Sequence, residues 1–381
     1  FSIGADEDVT EGSQVAYGFA ADVSALDALG LQSQGAAVTF TSDGQKLTAV
    51  ADGRTVLTVT IDAATGNWSA DLSDQFDHVG PQLPGVENTD LVAAGGSLAG
   101  LDLSGVLTAT DYDGDTVIGA ASGSFVLTIE DDVPVALVQP TPITATLEED
   151  DMTGVAGGDL SVGNNEDGST DFDEAVGTTS IASLFSIGAD EDVTEGSQVA
   201  YGFAADVSAL DALGLKSQGA DVTFSVTGQT LTAAAAGRTV LTVTIDAATG
   251  TWNADLSDQF DHVGPQLPGV ENTELVAAGG SLAGIDLSGV LTATDYDGDT
   301  VIGAAPGSFV LTIADDVPVA VAKPTPITAT LEEDDMTGVT GSDLSVGNNE
   351  DGSSNFDEAV GGTSIASRFS SGADEDVTEG L

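Results

Sequence analysis

"ADVTFSVTGQTLTAAAAGRTVLTVTID", residues 220–246, decides the fold class. Val222, Phe224 and Val226 alternate with polar residues before Gly228, and Leu241, Val243 and Ile245 do so after Gly237. Period-two alternation broken by glycine is the pattern of a β-meander, in which one face of each strand is buried. Working outward, "GTWNADL" at 250–256 and "VLTATDYDGDTVIGAAPGSFVLTIADD" at 290–316 add three or four strands. "ITATLEEDD" at 327–335 reads as an opening strand, and "DVSALDALGL" at 206–215 as one short helix. Seven or more short strands joined by Gly-rich turns predict an all-β, Greek-key β-sandwich. Phe203, Phe224, Trp252, Phe260 and Phe309 are its candidate core.

The same stretch has a near twin. "FSIGADEDVTEG" begins at Phe1 and again at Phe185, and "FSSGADEDVTEG" begins at Phe369, a period of 184 residues. Residues 1–184 and 185–368 differ at 23 positions. Repetition of this fidelity implies an array of whole domains. "DDVPVA", at 131–136 and 315–320, marks an exit, because proline cannot continue the strand pattern before it. That boundary makes 133–316 a complete unit, with a possible small extra module around 150–200. Residues 1–132 then correspond to the C-terminal part of one unit and 317–381 to the N-terminal part of another. The expectation is a slice of a longer array whose ends call for neighbouring sequence or another copy.

Charge narrows the function classes. Of 381 residues, 63 are Asp or Glu and 6 are Lys or Arg, a formal net charge of −57. Such a surface repels phosphate and excludes nucleic acid as a natural partner. Yet 41% of residues are hydrophobic, so the chain reads as folded and self-repelling rather than as a solvated tail. Counter-cations or high external salt belong to its working state. No cysteine is present, which removes disulfides, thiolate metal sites and a cysteine nucleophile. No apolar run approaches the roughly 18 residues of a membrane span, so insertion by this segment is not expected.

"TATDYDGDTVIGA", at 108–120 and again at 292–304, concentrates the charge. Asp111, Asp113 and Asp115, and their copies Asp295, Asp297 and Asp299, fall at alternate positions around a glycine. Hard cations such as Ca²⁺ take six to eight oxygens, and this spacing offers three. The glycine is misplaced for an EF-hand, and Ser122 or Pro306 stands where that loop needs its twelfth-position acid. The remaining ligands must come from elsewhere in the fold. Asp131 and Asp132, with Asp315 and Asp316, lie one hairpin away at the exit. "LEEDD", containing Glu148, Glu149 and Asp150, or Glu332, Glu333 and Asp334, follows the exit closely enough to meet such a turn across a junction. "GADEDVTEG" adds Asp190, Asp192 and Glu195 as further candidate ligands.

Catalysis finds little support. The two histidines, His78 and His262, lie in "DQFDHVG" without a nucleophile-elbow serine, and a packing role suits them better. The glycine-rich "AAGGSLAG" strings lack the lysine of a phosphate-binding loop.

"GRTVLTVTIDAATGNWSADL", "FDHVG", "ENT" and above all "LTATDYDGDTVIGAASGSFVLTIEDDVPVA" resemble the large repeats of bacterial RTX adhesins. The resemblance covers the whole 184-residue unit. It implies tandem immunoglobulin-like β-sandwich repeats in an elongated array, exported by type I secretion to the cell surface or biofilm matrix. It also implies Ca²⁺ bound at or near the junctions, with Asp111, Asp113, Asp115, Asp131, Asp132 and their copies as ligands or near them. Neighbouring repeats or further copies would be the partners, and a surface ligand would be carried elsewhere. The RTX nonapeptide is absent from this stretch. Two rival readings are a self-assembling extracellular filament joined through incomplete end units and a calcium-dependent carbohydrate-binding module.

Overall fold

The computed structural model describes residues 15–80, 87–149, 152, 174–177, 179–190, 199–264, 272–296, 298–320, 324–328 and 364–370. Strand and turn dominate them, and the fold is all-β. Among the described residues α-helix is confined to single turns, Ser24–Asp27 and Ser208–Asp211, the second within the stretch where the sequence suggests one.

The meander forms in the expected order. Ala220–Thr227, Thr230–Ala235, Arg238–Ile245 and Trp252–Leu256 pair antiparallel in succession. Ala236 and Gly237, with φ of +49° and +84°, make the tight connection to Arg238. Left-handed backbone at both positions gives the twist that two adjacent strands need. The run Val240-Leu241 breaks the period of two, and a register shift beside Ala233 absorbs it. One extra residue in the strand lets both side chains be buried.

Two three-stranded sheets belong to this copy as well, beside the short hairpin of Leu275–Ala277 with Gly280–Leu282. Ala200–Phe203 borders Leu291–Thr294, which borders Thr300–Ile302. In the other sheet Ile143–Glu148 lies parallel to Phe309–Ala314, which pairs antiparallel with Ile285–Asp286. A single hydrophobic cluster running from Ile143 to Ile313 joins all three sheets and contains the five predicted aromatic residues. The Trp252 and Phe309 rings meet at 4.9 Å, tilted by 56°, a favourable aromatic geometry. The described part of the stretch around 150–200 belongs to this same core. Glu174–Val176 borders Trp252–Leu256, and Ile181, Leu184, Phe185 and Ile187 are buried in the cluster.

A second cluster, from Phe19 to Ile129, is built from the matching elements 184 residues earlier. Its meander is Ala36–Ser42, Lys46–Ala51, Arg54–Ile61 and Trp68–Leu72. Toward the C-terminus, Val319–Ala320 pairs with Phe369–Ser370 as Val135–Ala136 pairs with Phe185–Ser186. Of the predicted opening strand at 327–335, only residues 327 and 328 are described.

Candidate functional site

The Asp-Gly-Asp turn joins Leu107–Thr110 to Thr116–Ile118. The Asp111 amide donates to the Asp115 carbonyl at 3.0 Å. Asp111 Oδ1 accepts in return from the amides of Asp115 and Gly114, at 2.8 and 3.1 Å. Gly114, at φ +96°, supplies the left-handed step that folds the loop back. Asp111, Asp113 and Asp115 therefore each offer a carboxylate oxygen within 4.8 Å of the others. The Asp113 carboxyl is held above its ordinary value, first by its hydrogen bond with Asp111 and then by the charges of Asp111 and Asp115.

The second copy builds the same turn, with Asp295 Oδ1 accepting from the amides of Asp299 and Gly298 at 2.8 and 3.2 Å. Its surroundings differ. Asp113 and Asp115 are exposed, whereas Asp295 and Asp299 are buried at 3% and 1% exposure. Tyr296, between them, packs against the first copy. A β-carbon added at Gly35 would come within 2.5 Å of its hydroxyl. Tyr296 also lines a cavity with Gln32, Asp77, His78, Val79 and Val92 of the first copy. Asp297 lies outside the described residues.

The exit acids go elsewhere. Asp131 is buried, with Oδ1 3.2 Å from His78 Nδ1 and Oδ2 accepting from the Asn88 side-chain amide at 3.2 Å. His78 Nε2 lies 3.2 Å from the Ile129 carbonyl. The Asp132 carboxylate accepts from the Ala189 amide at 2.9 Å, tying the exit to the 3-10 turn Gly188–Asp190. Asp315 and Asp316 are likewise buried, and Asp315 accepts from Asn272 at 3.2 Å.

Glu149 joins this second group, not the turn. Glu148 lies opposite Ala314 in the parallel ladder, so the next residue falls beside Asp315. Glu149 Oε1 accepts from the Phe260 amide at 2.7 Å and lies 3.4 Å from His262 Nε2. Glu149, His262 and Asp315 each present an atom within 4.8 Å of the others.

Among the described residues, two clusters each bring three ligand atoms together, Asp111 with Asp113 and Asp115, and Glu149 with His262 and Asp315. Neither Asp131, Asp132 nor Glu149 enters the shell around Asp111, Asp113 and Asp115. Asp150, Asp192, Glu195, Glu332, Glu333 and Asp334 lie outside the described residues. Sequence reasoning gave the histidines a packing role and missed that each lies against a buried acid, His78 against Asp131 and His262 against Glu149. The available signal was the unchanged "DQFDH" of both copies.

The two groups suit different chemistry. Three carboxylates on a turn are hard oxygen donors, supplying about half of the six to eight oxygens that a calcium-type cation takes. The buried Glu149, His262 and Asp315 mix oxygen with nitrogen, a set suited to a borderline ion or, without one, to a locked ion pair. No family model, curated protein or solved structure matches the chain. No helix among the described residues is long and apolar enough to cross a membrane.

Proposed function

We propose that this chain is a stretch of structural extender repeats from a secreted cell-surface or biofilm adhesin of the RTX type, without enzymatic activity. Its units are immunoglobulin-like sandwiches in tandem, and calcium bound at the Asp-Gly-Asp turns stiffens the array where one unit meets the next. One observation carries the reading: the repeated turn is exposed in the first copy but buried in the second, where its Tyr296 packs on Gly35.

Carboxylates drawn together at such a contact repel one another, and a divalent cation removes the repulsion. Asp111, Asp113 and Asp115, and Asp295 and Asp299, would hold it. Weak sites, with dissociation constants of roughly 10⁻⁴–10⁻³ M, suit extracellular calcium and leave the chain loose before export. Small-angle scattering and calorimetry on the full chain test this. Calcium at millimolar concentration should raise the melting temperature and the maximum dimension, and chelator should reverse both. Identical profiles with calcium and with chelator would sink the proposal.

A further inference from the structure

Three segments far apart in sequence meet inside the second copy. Glu149 follows the strand Ile143–Glu148, His262 lies beyond Trp252–Leu256, and Asp315 follows Phe309–Ala314. The parallel register that sets Glu148 opposite Ala314 brings Glu149 beside Asp315. A single bridge to Leu275 fixes the backbone of His262. The side chains of Glu149 and His262 are 0% and 4% exposed, and Asp315 is 7% exposed. Each of the three presents a ligand atom within 4.8 Å of the other two.

Neighbouring groups orient these donors. The Phe260 amide donates to Glu149 Oε1 at 2.7 Å. Asn272 holds Asp315 twice: its side-chain amide donates to Oδ2 at 3.2 Å, and its carbonyl accepts from the Asp315 amide at 2.9 Å. Asn272 is itself set by the Glu274 amide, which donates to its side-chain oxygen at 2.6 Å. The first copy repeats the bracing, with Asn88 holding Asp131 at the same 3.2 and 2.9 Å and accepting from the Asp90 amide at 2.6 Å. There His78 Nδ1 stands 3.2 Å from Asp131 Oδ1. A buried histidine beside an asparagine-braced aspartate is therefore a property of the repeat.

We propose that Glu149, His262 and Asp315 hold a zinc-class divalent cation, separate from the calcium assigned to the Asp-Gly-Asp turns. The donor set selects the ion: calcium takes oxygen ligands, whereas imidazole combined with carboxylates suits Zn²⁺. Spacing agrees. Glu149 Oε1 and His262 Nε2 are 3.4 Å apart. Bonds of roughly 2.0–2.1 Å to a tetrahedral ion set neighbouring ligands about 3.4 Å apart, whereas a charge-assisted hydrogen bond would be about 2.7–2.9 Å. Charge agrees too. Two carboxylates, a neutral imidazole and a divalent ion sum to zero, and metal ligation requires the neutral ring. A protonated His262 would instead leave one negative charge among the three groups, in an interior where charge is costly. The Phe260 amide and Asn272 supply the outer support that fixes ligands in place, and water takes the fourth position. The ion clasps the strand that opens the unit to the strand that closes it, so its binding energy becomes folding energy.

The chain has only two histidines, so both can be followed at once. The full chain, stripped with chelator and then kept in millimolar calcium to occupy hard oxygen sites, is titrated with Zn²⁺. With ring-nitrogen-labelled histidine, NMR reports each imidazole, and His78→Gln assigns the signals. One equivalent of zinc should shift the His262 ring nitrogens, leave those of His78 in place and raise the melting temperature. Glu149→Gln keeps an acceptor for the Phe260 amide and should weaken zinc binding at least a hundredfold. Asn272→Ala, a positioning change, should weaken it about 10–100-fold. Zinc that moves neither histidine, or moves both alike, would overturn the proposal. So would an undiminished zinc affinity in folded Glu149→Gln. The His262 signal of the unmodified chain decides the matter even where a variant does not fold.

Discussion

The carboxylate of Glu149 sits 2.7 Å from the backbone nitrogen of Phe260, 111 residues further along the chain. That bond pins the end of the parallel strand Ile143–Glu148 against the loop carrying His262. It closes the second copy by joining a residue near its beginning to residues near its exit.

Replacing Glu149 should therefore loosen the second copy alone. Glu149→Ala leaves a buried amide and His262 without their acceptor, a loss of about 2–4 kcal/mol. Glu149→Gln keeps an acceptor oxygen and should lose less. Denaturant unfolding read through Trp252, in a Trp68→Phe background, gives the size of the effect.

The two tryptophans should respond unequally. Trp252 is buried against Phe309, and its indole nitrogen donates to the Thr179 carbonyl at 3.1 Å. Trp252→Ala should cost about 3–5 kcal/mol, the range for large aromatic truncations in cores. Trp68 meets Phe125 in the same geometry but is 55% exposed, so Trp68→Ala in dilute solution should cost less than about 1 kcal/mol. Calorimetric melting of the two variants compares them directly.

Asp113 should titrate above an ordinary aspartate when calcium is withheld. Its raised value means the folded turn holds a proton that the unfolded chain has already released. The associated stability is present below the unfolded value of about 3.9 and is lost as pH rises through the folded value. Bound cation should reverse the shift by favouring the carboxylate. A carboxyl-carbon NMR titration with chelator, and again with millimolar calcium, follows both directions.

Ala236 is a position for a gain. It adopts φ +49° in the two-residue turn before Arg238, where the first copy has Asp52 at φ +45°. A short polar side chain tolerates this backbone better than alanine. Ala236→Asn should raise the stability of the second copy by about 0.5–1 kcal/mol, measured by denaturant midpoint.

Much of this architecture was legible in the residues. Alternation placed the meander strands because a half-buried strand must alternate, and the five aromatic core positions followed from the same faces. The Asp-Gly-Asp turn was legible as a crowding of charge, since Asp111 folds back on amides only three and four residues away. The companions of that turn were not legible. Proximity in sequence suggested Asp131 and Asp132 as its partners, but hairpin geometry turned Asp131 to His78 and Asp132 to Ala189. Glu149 was named as a ligand for a junction, and the structure carries it instead to Phe260 and His262.

By itself the sequence determined the strands, the turns and the 184-residue period, all of which rest on local alternation and direct repetition. Only the tertiary structure decided that Ile143–Glu148 pairs with Phe309–Ala314, and that nearly identical strands are buried in one copy and more exposed in the other. A parallel pairing across more than 160 residues has no local signature. It is selected by which apolar edge is still open when the rest of the sheet has formed.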